Sequence, residues 1–500
     1  MFNPKEFLLS RMNRAKGFLL GILGLDRETV EFLSHSKNYL NANLAVKAIS
    51  LVTVPIFTRL MLPASYGVLA IFQSVSGILS VIMSAGITGG MYRRFFEKDK
   101  EGYPSFLGSN LAFLSFFSFA LVIAMLLFGG QISAFFQLPR ELLALASFSA
   151  FFTVVFGVYT RLLQAKNQSR QYSAIVVLQS LAVLCISVPW VFLTEKSARH
   201  IGAIHASLLI GGIIFAYSAY RLFSEIRFDS GFRNAIRDIK YSLKFGIPLL
   251  PHSFGGYLLS YFDRIVVGQI AGVASAGIYS LGYNVGMVLL VAITAITSAW
   301  SPKFFACMEH GKFLEIERLA VRSAKLVLLA ALGIIVFSKD FISIFAASQY
   351  SASASIVAPV VFGYFFFFLY SLYLLYSEYR KKTWLISIIT VSSISFSIAM
   401  NYFLIPRYGY AVAAYTSMLS FGLMFFLHYL NVRFVLKERN AISIRRIMPS
   451  FVVFACLAVA YLYVESISAG IVLTWAAKIV ALALLSAFLF GGVFRKLNAR

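Results

Sequence analysis

Charge is the scarcest property of this sequence. Only 13% of its 500 residues are charged and 59% are hydrophobic, where a soluble domain carries about 25% and about 45–50%. Such a chain cannot cover its apolar residues with a solvated surface, which excludes the soluble globular and disordered classes. Acidic residues are rarer still, 20 against 44 Lys and Arg, for a formal net charge of +24. The basic excess falls between apolar runs instead of gathering into a stripe, which argues against nucleic acid as a partner. The three cysteines, Cys185, Cys307 and Cys456, make no CxxC pair; a disulfide framework, a zinc site and haem attachment are excluded by spacing. No GxxxxGK[ST] segment occurs, so no phosphate-cradling loop for ATP hydrolysis is present. No polar stretch between apolar runs is long enough for a soluble catalytic domain.

Long apolar runs are what the chain has instead. A helix needs about 20 mostly apolar residues to cross the hydrocarbon core. Fourteen stretches qualify: 40–60, 66–90, 106–128, 142–162, 172–193, 201–222, 245–268, 276–300, 324–345, 353–376, 384–404, 409–431, 447–464 and 471–491. They lack the alternating polarity of barrel strands. Trp190, Trp300 and Trp384 fall near span ends, and Trp475 a few residues inside one, as interfacial aromatics do. Residues 1–37 precede the first span. The run Gly17 to Leu25 is too short to cross and is followed by Asp26, Arg27 and Glu28 without a small-residue cleavage site, so a segment lying on the membrane is expected, with a basic tail as the alternative.

Placing the N-terminus in the cytoplasm puts 35 of the Lys and Arg in cytoplasmic segments and 7 on the other side, with Lys47 and Lys478 inside spans. The bias holds from loop to loop, so it supports both the orientation and the span count. Both termini are expected in the cytoplasm of a cell with a cytoplasmic (inner) membrane.

The chain also resembles itself at an offset near 210. Ser65-Tyr66-Gly67-Val68 matches Ser275-Ala276-Gly277-Ile278, Arg93-Arg94-Phe95 matches Lys303-Phe304-Phe305, and Ala206-Ser207 matches Thr416-Ser417. Spans 1–6 and 7–12 therefore read as two copies of a six-helix unit. An even number of spans per copy makes the repeats parallel, with a transport site between them. The expected fold is an all-α polytopic membrane protein of about fourteen transmembrane helices, two six-helix repeats plus two appended helices. Its parts are an N-terminal segment 1–37, a first bundle 38–223, a linker 224–244, a second bundle 245–432 and a C-terminal pair with its tail 433–500.

The segment from Ser242 to Lys303 carries LPHS (Leu250 to Ser253), DR (Asp263-Arg264), AGIYS (Ala276 to Ser280) and WSP (Trp300 to Pro302). These pieces, with Leu44 to Ser74 and with Lys381 to Tyr410, resemble the bacterial polysaccharide flippases of the O-antigen type, in the superfamily that holds the multidrug exporters and the lipid II flippases. The resemblance covers about residues 38–432. It implies alternating-access transport of an undecaprenyl-pyrophosphate-linked oligosaccharide, no enzymatic activity, and partners among membrane lipids, a polysaccharide polymerase and chain-length machinery. A multidrug or organic-cation exporter on the same fold is the alternative; the intramembrane charges are mainly basic, which suits it less. A glycan polymerase or ligase would need a larger outer loop than any present.

An anionic pyrophosphate crossing hydrocarbon calls for buried cations. Lys47 in span 1 and Arg59 near its outer end are the first candidates; snorkelling to the surface is the other reading of Lys47. Gln73, Ser76, Ser80 and Ser84 form a polar stripe on span 2, fit either to meet sugar or to pack helices. Arg93 and Lys303, at matching repeat positions, are a candidate basic inner mouth or plain positive-inside anchors. Tyr283 and Asn284, with Tyr279, are candidate sugar contacts. Asp263 and His252 are the ion-coupling candidates on span 7, about 16 Å apart along one face; an ion pair for Asp263 and a structural hydrogen bond for His252 are the competing readings. Pro248 and Pro251 favour a kink. No cofactor or metal motif is present, and the coupling ions considered are H⁺ and Na⁺.

Overall fold

The computed structural model describes residues 27–97, 102–229, 231–438, 440–467 and 470–497. The run from Gly17 to Leu25 lies outside them. Seventeen helices and no strands are present among the described residues, as expected for hydrogen-bonding groups that must be satisfied within each segment in hydrocarbon. The side carrying the basic loops is called inner below, and the opposite side outer.

The first bundle is built from α1 (Arg27–Leu60), α2 (Pro63–Ser84), α3 (Ile87–Phe95), α4 (Tyr103–Phe136), α5 (Arg140–Ala165), α6 (Ser169–Leu193) and α7 (Arg199–Phe223). In it α1 packs along α6, α2 along α5, and α5 and α6 both on α7. A connecting helix follows, α8 (Phe232–Gly246), then a single tight turn over Ile247–Leu249. The second bundle holds α9 (Leu250–Ala271), α10 (Val273–Gly286), α11 (Leu289–Glu309), α12 (Phe313–Phe345), α13 (Ala354–Tyr379), α14 (Thr383–Tyr408) and α15 (Val412–Leu430). There α13 packs along α15, α9 on α14 and α12 on α13. The last pair, α16 (Ile444–Ser466) and α17 (Ile471–Leu497), lies on α12.

Thirteen described segments are long and apolar enough to cross a membrane. The helix α9 supplies the fourteenth: its 22 residues span about 33 Å, and His252, Asp263, Arg264 and Gln269 dilute its apolarity. Two expected spans change shape. The stretch 245–268 begins later, because Pro248 and Pro251 fit a helix start and not its interior. The stretch 276–300 is broken after Gly286 into α10 and α11. The linker 224–244 is largely α8, a 15-residue helix that runs on to Gly246.

The C-terminal pair is fastened to α12 by polar ties. Arg446 pairs with Glu317 at 2.9 Å. Lys325 Nζ donates to the Leu489 carbonyl at 2.7 Å. Lys478, 1% exposed, pairs with Asp340 and lies 4.6 Å from the Trp475 ring. This gives Lys478 a partner on a neighbouring helix inside the span.

Candidate functional site at the seam between the bundles

The bundles meet where α2 crosses α10, with α9 beside α2. A Cβ on Gly67 would lie 1.9 Å from the Val273 carbonyl oxygen, and one on Gly277 would lie 2.0 Å from the Pro63 carbonyl oxygen. No side chain fits at either position; small residues let helix backbones approach this closely in membranes. The contact is reciprocal at the repeat offset, since Pro63 matches Val273 and Gly67 matches Gly277. The segments matched in sequence thus touch each other across a local two-fold relation.

Further contacts seal the outer end. Arg59 Nη2 donates to the Ile344 carbonyl, and Gln269 Nε2 to the Phe135 carbonyl. Tyr350 Oη donates to the Met61 carbonyl at 3.1 Å, its ring edge-on to Tyr66 at 6.0 Å. Arg59 is exposed apart from this bond. Each of these pairs joins one bundle to the other.

Next to the crossing, adjacent residues of α9 serve opposite sides. Arg264, 3% exposed, donates from Nη1 to the Ser260 carbonyl at 2.8 Å and from Nη2 to Asn284 Oδ1 at 3.1 Å. Asn284 Nδ2 passes the chain to Tyr66 Oη at 3.1 Å, reaching the first bundle. The guanidinium lies 4.9 Å from the Tyr261 ring centre and 4.8 Å from that of Tyr283, where ring faces attract a cation. Asp263, 2% exposed, turns into the second bundle. It accepts from Tyr279 Oη at 3.0 Å, from Asn401 Nδ2 at 2.6 Å and from Ser417 Oγ. Asn401 Oδ1 accepts in turn from Thr416 Oγ1. The carboxylate is held by three neutral donors from α10, α14 and α15. An isolated charge in this setting would be prohibitive; donors aimed at it offset the desolvation.

The other candidates lie in the inner half. Lys47 is exposed on α1, as are Asn43 and Ser50 on the same side. Arg93 is exposed at the end of α3, 5.3 Å from the Phe245 ring of α8. Lys303 pairs with Glu315 at 2.7 Å, both about half exposed. Arg93 and Lys303 are therefore both at the inner face, each engaged with a neighbour. The polar stripe of α2 divides: Gln73 is exposed, Ser76 is buried, and Ser80 and Ser84 bond their own backbone. Gly77 faces Tyr257, whose hydroxyl donates to the Gln73 carbonyl at 3.4 Å. Tyr283, 1% exposed, and Asn284 are enclosed in the Arg264 network instead of lining an open surface.

His252 Nδ1 lies 3.0 Å from Thr390 Oγ1. The Thr390 hydroxyl already donates to the Ile386 carbonyl, so the imidazole is the donor and its tautomer is set.

Sequence reasoning passed over Asn401, which the Asp263 cluster requires, and gave Thr416 and Ser417 only a place in the repeat. Asn401 sits in an apolar run (SIAMNYFLIP), and a lone amide there is the one legible signal.

A family profile described as "Polysaccharide biosynthesis protein" matches residues 38–308. The chain is 23% identical over 403 residues to the probable low-salt glycan biosynthesis flippase Agl15 of Haloferax volcanii, covering 77% of this chain and 80% of that protein. In fold it is similar to the lipid II flippase MurJ in an inward closed conformation, with a TM-score of 0.68 at 15% identity over 91% of this chain and 99% of that one. It is also similar to an inward-facing multidrug resistance MATE family transporter of the MOP superfamily, with a TM-score of 0.63 at 15% identity over 79% of this chain and 96% of that one.

Proposed function

The chain belongs to the polysaccharide biosynthesis protein family, and on that footing we propose that it is a flippase carrying an undecaprenyl-pyrophosphate-linked oligosaccharide across the cytoplasmic membrane. It is a multi-pass membrane protein that moves its substrate without converting it. The observation that carries the reading is the seam: two helical bundles joined by a reciprocal glycine crossing and by polar ties at the outer end, with Arg59 and Arg264 at it.

The pyrophosphate meets Arg93 and Lys303 at the inner face and Lys47 within the membrane. Arg59 lies at the outer exit, where its bond to the Ile344 carbonyl must break for release. Rocking of the bundles separates the outer contacts and closes the inner half. The helix contact at Gly67 and Gly277 suits this motion, because backbones in contact through hydrogen atoms can part without freeing interlocked side chains.

Asp263 is the coupling group of this reading. Its carboxylate, with the Asn401, Thr416 and Ser417 oxygens nearby, offers the hard oxygen donors that suit Na⁺, and a carboxylate among hydroxyls equally accepts a proton. Arg264 on the next position ties that site to Tyr66 across the seam. Both termini lie in the cytoplasm, and a polymerase with chain-length machinery receives the product.

The test is the leaflet distribution of the lipid-linked oligosaccharide in cells lacking the gene, read with an impermeant glycan-modifying probe. Accumulation on the cytoplasmic side, relieved by the wild-type gene and not by Lys47→Ala or Arg59→Ala proteins that insert normally, is the expected outcome. An unchanged distribution, in a strain with no second flippase, overturns the reading.

A further inference from the structure

The connecting helix α8 has three distinct faces. At about 100° per residue, Asp238, Tyr241, Ser242, Phe245 and Gly246 share one face. The structure places this face on the first bundle. A Cβ on Gly246 would lie 2.4 Å from the Gly86 carbonyl oxygen, and one on Gly90 2.7 Å from Ser242 Cα. Tyr241 Oη donates to Glu97 Oε1, and Ser109 Oγ to Asp238 Oδ2 at 3.5 Å.

Most of the remaining circumference is free of the protein, Ile239 and Leu243 alone being half-buried. One arc is apolar, made of Phe232, Ile236, Ile239 and Leu243. Phe232 is 83% exposed, and the ring of Phe228 just before the helix is exposed as well. The adjoining arc is basic, made of Arg233, Arg237, Lys240 and Lys244, all exposed. Among the described residues none of these four makes an ion pair.

The position of α8 is fixed too. Its approach is pinned to the inner end of α4, where Ser105 Oγ donates to Asp229 and the Arg227 amide donates to the Pro104 carbonyl at 3.2 Å. Its far end runs through Ile247–Leu249 into the spanning helix α9. The helix therefore lies where the inner ends of the spans meet the membrane surface.

An uncovered apolar arc beside a row of unpaired cations at that depth has one complementary surface nearby. We propose that α8 is a binding site for the anionic phospholipids of the inner leaflet. Phe228, Phe232 and Ile236 enter the acyl boundary, and Arg233, Arg237, Lys240 and Lys244 meet headgroup phosphates. Because α8 is docked on the first bundle and leads into the second, bound lipid holds the first bundle at a set depth while the turn at Ile247–Leu249 carries the bending. This inference goes beyond the transport reading and does not depend on it.

The test uses the full chain, without oligosaccharide substrate, in nanodiscs of phosphatidylcholine alone and of phosphatidylcholine with phosphatidylglycerol. Amide hydrogen exchange over residues 232–243 is expected to slow several-fold with phosphatidylglycerol, and the slowing to fade at high salt. The R233Q/R237Q/K240Q/K244Q protein should lose the difference between the two lipids, whereas R233K/R237K should keep it. Exchange in α2 and α10 serves as the control for an intact fold. Equal exchange of α8 in both lipids for the wild-type chain overturns the proposal. So does a phosphatidylglycerol effect that survives in the quadruple variant, since other residues would then bind the lipid.

Discussion

The two ends of the seam are held by different elements. At the outer end the acceptors are main-chain carbonyls, those of Ile344, Met61 and Phe135, met by Arg59, Tyr350 and Gln269. The Gly67–Gly277 crossing is likewise a backbone contact. Each of these contacts joins one bundle directly to the other, so they part when the bundles separate there. At the inner end the single helix α8 carries the contacts: Arg93 meets the Phe245 ring, Tyr241 donates to Glu97, and Gly246 and Gly86 make a second glycine crossing. These inner contacts hold α8 to the first bundle. The outer closure is thus made bundle to bundle, and the inner one passes through the connecting helix.

The largest expected effect comes from the cluster beside the crossing. Asp263→Ala leaves the Tyr279, Asn401 and Ser417 donors without their acceptor, and each orphaned buried group costs about 1–3 kcal/mol. Thermal unfolding of the purified protein should fall well below wild type, with Asp263→Asn losing less. Equal stability of Asp263→Ala would mean that the cluster does not hold α9 to α14 and α15. Under the coupling reading, Asp263→Asn should also remove the dependence of transport on the ion gradient.

Gly277→Leu acts on the comparison directly. A side chain has no room there, and overpacking costs about 1–3 kcal/mol. Most of that cost disappears when the outer ends separate, so the population should shift outward. Spin labels at Leu62 and Ala274, both exposed beside the crossing, should report a longer distance than in wild type. An unchanged distance would show that the crossing is not what closes the outer end.

Arg59→Ala removes one exposed outer tie and should change stability by less than about 1 kcal/mol. Its effect should appear in glycan export with protein levels unchanged.

The smallest effect is expected on the inner side. Burial against the first bundle pushes the Asp238 carboxyl above the usual carboxylate range, partly opposed by Arg237 and by the Ser109 hydroxyl. A raised value favours the protonated form in the docked state. Docking of α8 is therefore strongest at low pH and weakens as pH rises through the raised value. Asp238→Asn should slow hydrogen exchange of α8 slightly at neutral pH and flatten its pH dependence; faster exchange would reverse the sign of the argument.

Not all of the seam was legible in advance. Lys47, Arg59, Arg93 and Lys303 stand out in sequence because cations interrupt or flank apolar runs; in the structure Arg59 ties the bundles at the outer end, Arg93 and Lys303 lie at the inner face, and Lys47 is exposed on α1. Residue type alone makes Tyr283 and Asn284 candidate sugar contacts. In the fold they are committed to Arg264, a partner 20 residues away for Asn284 that no helical spacing pairs with it. Asp263 showed itself as a rare acid within a span, but its partners Asn401 and Ser417 lie 138 and 154 residues away.

The sequence by itself determined the solvent and the number of spans. Both follow from a local quantity, the length and composition of an apolar run. Only the tertiary structure decided that the repeated tetrapeptides touch each other. It also decided that Asp263 and Arg264 serve different bundles, and that α8 rests on the first bundle while leading into the second. Those outcomes depend on which helix faces meet, and apolar faces packing in a bilayer are too alike in composition for sequence to pair them. Backbone proximity at glycines and donor direction at a few polar groups make that choice.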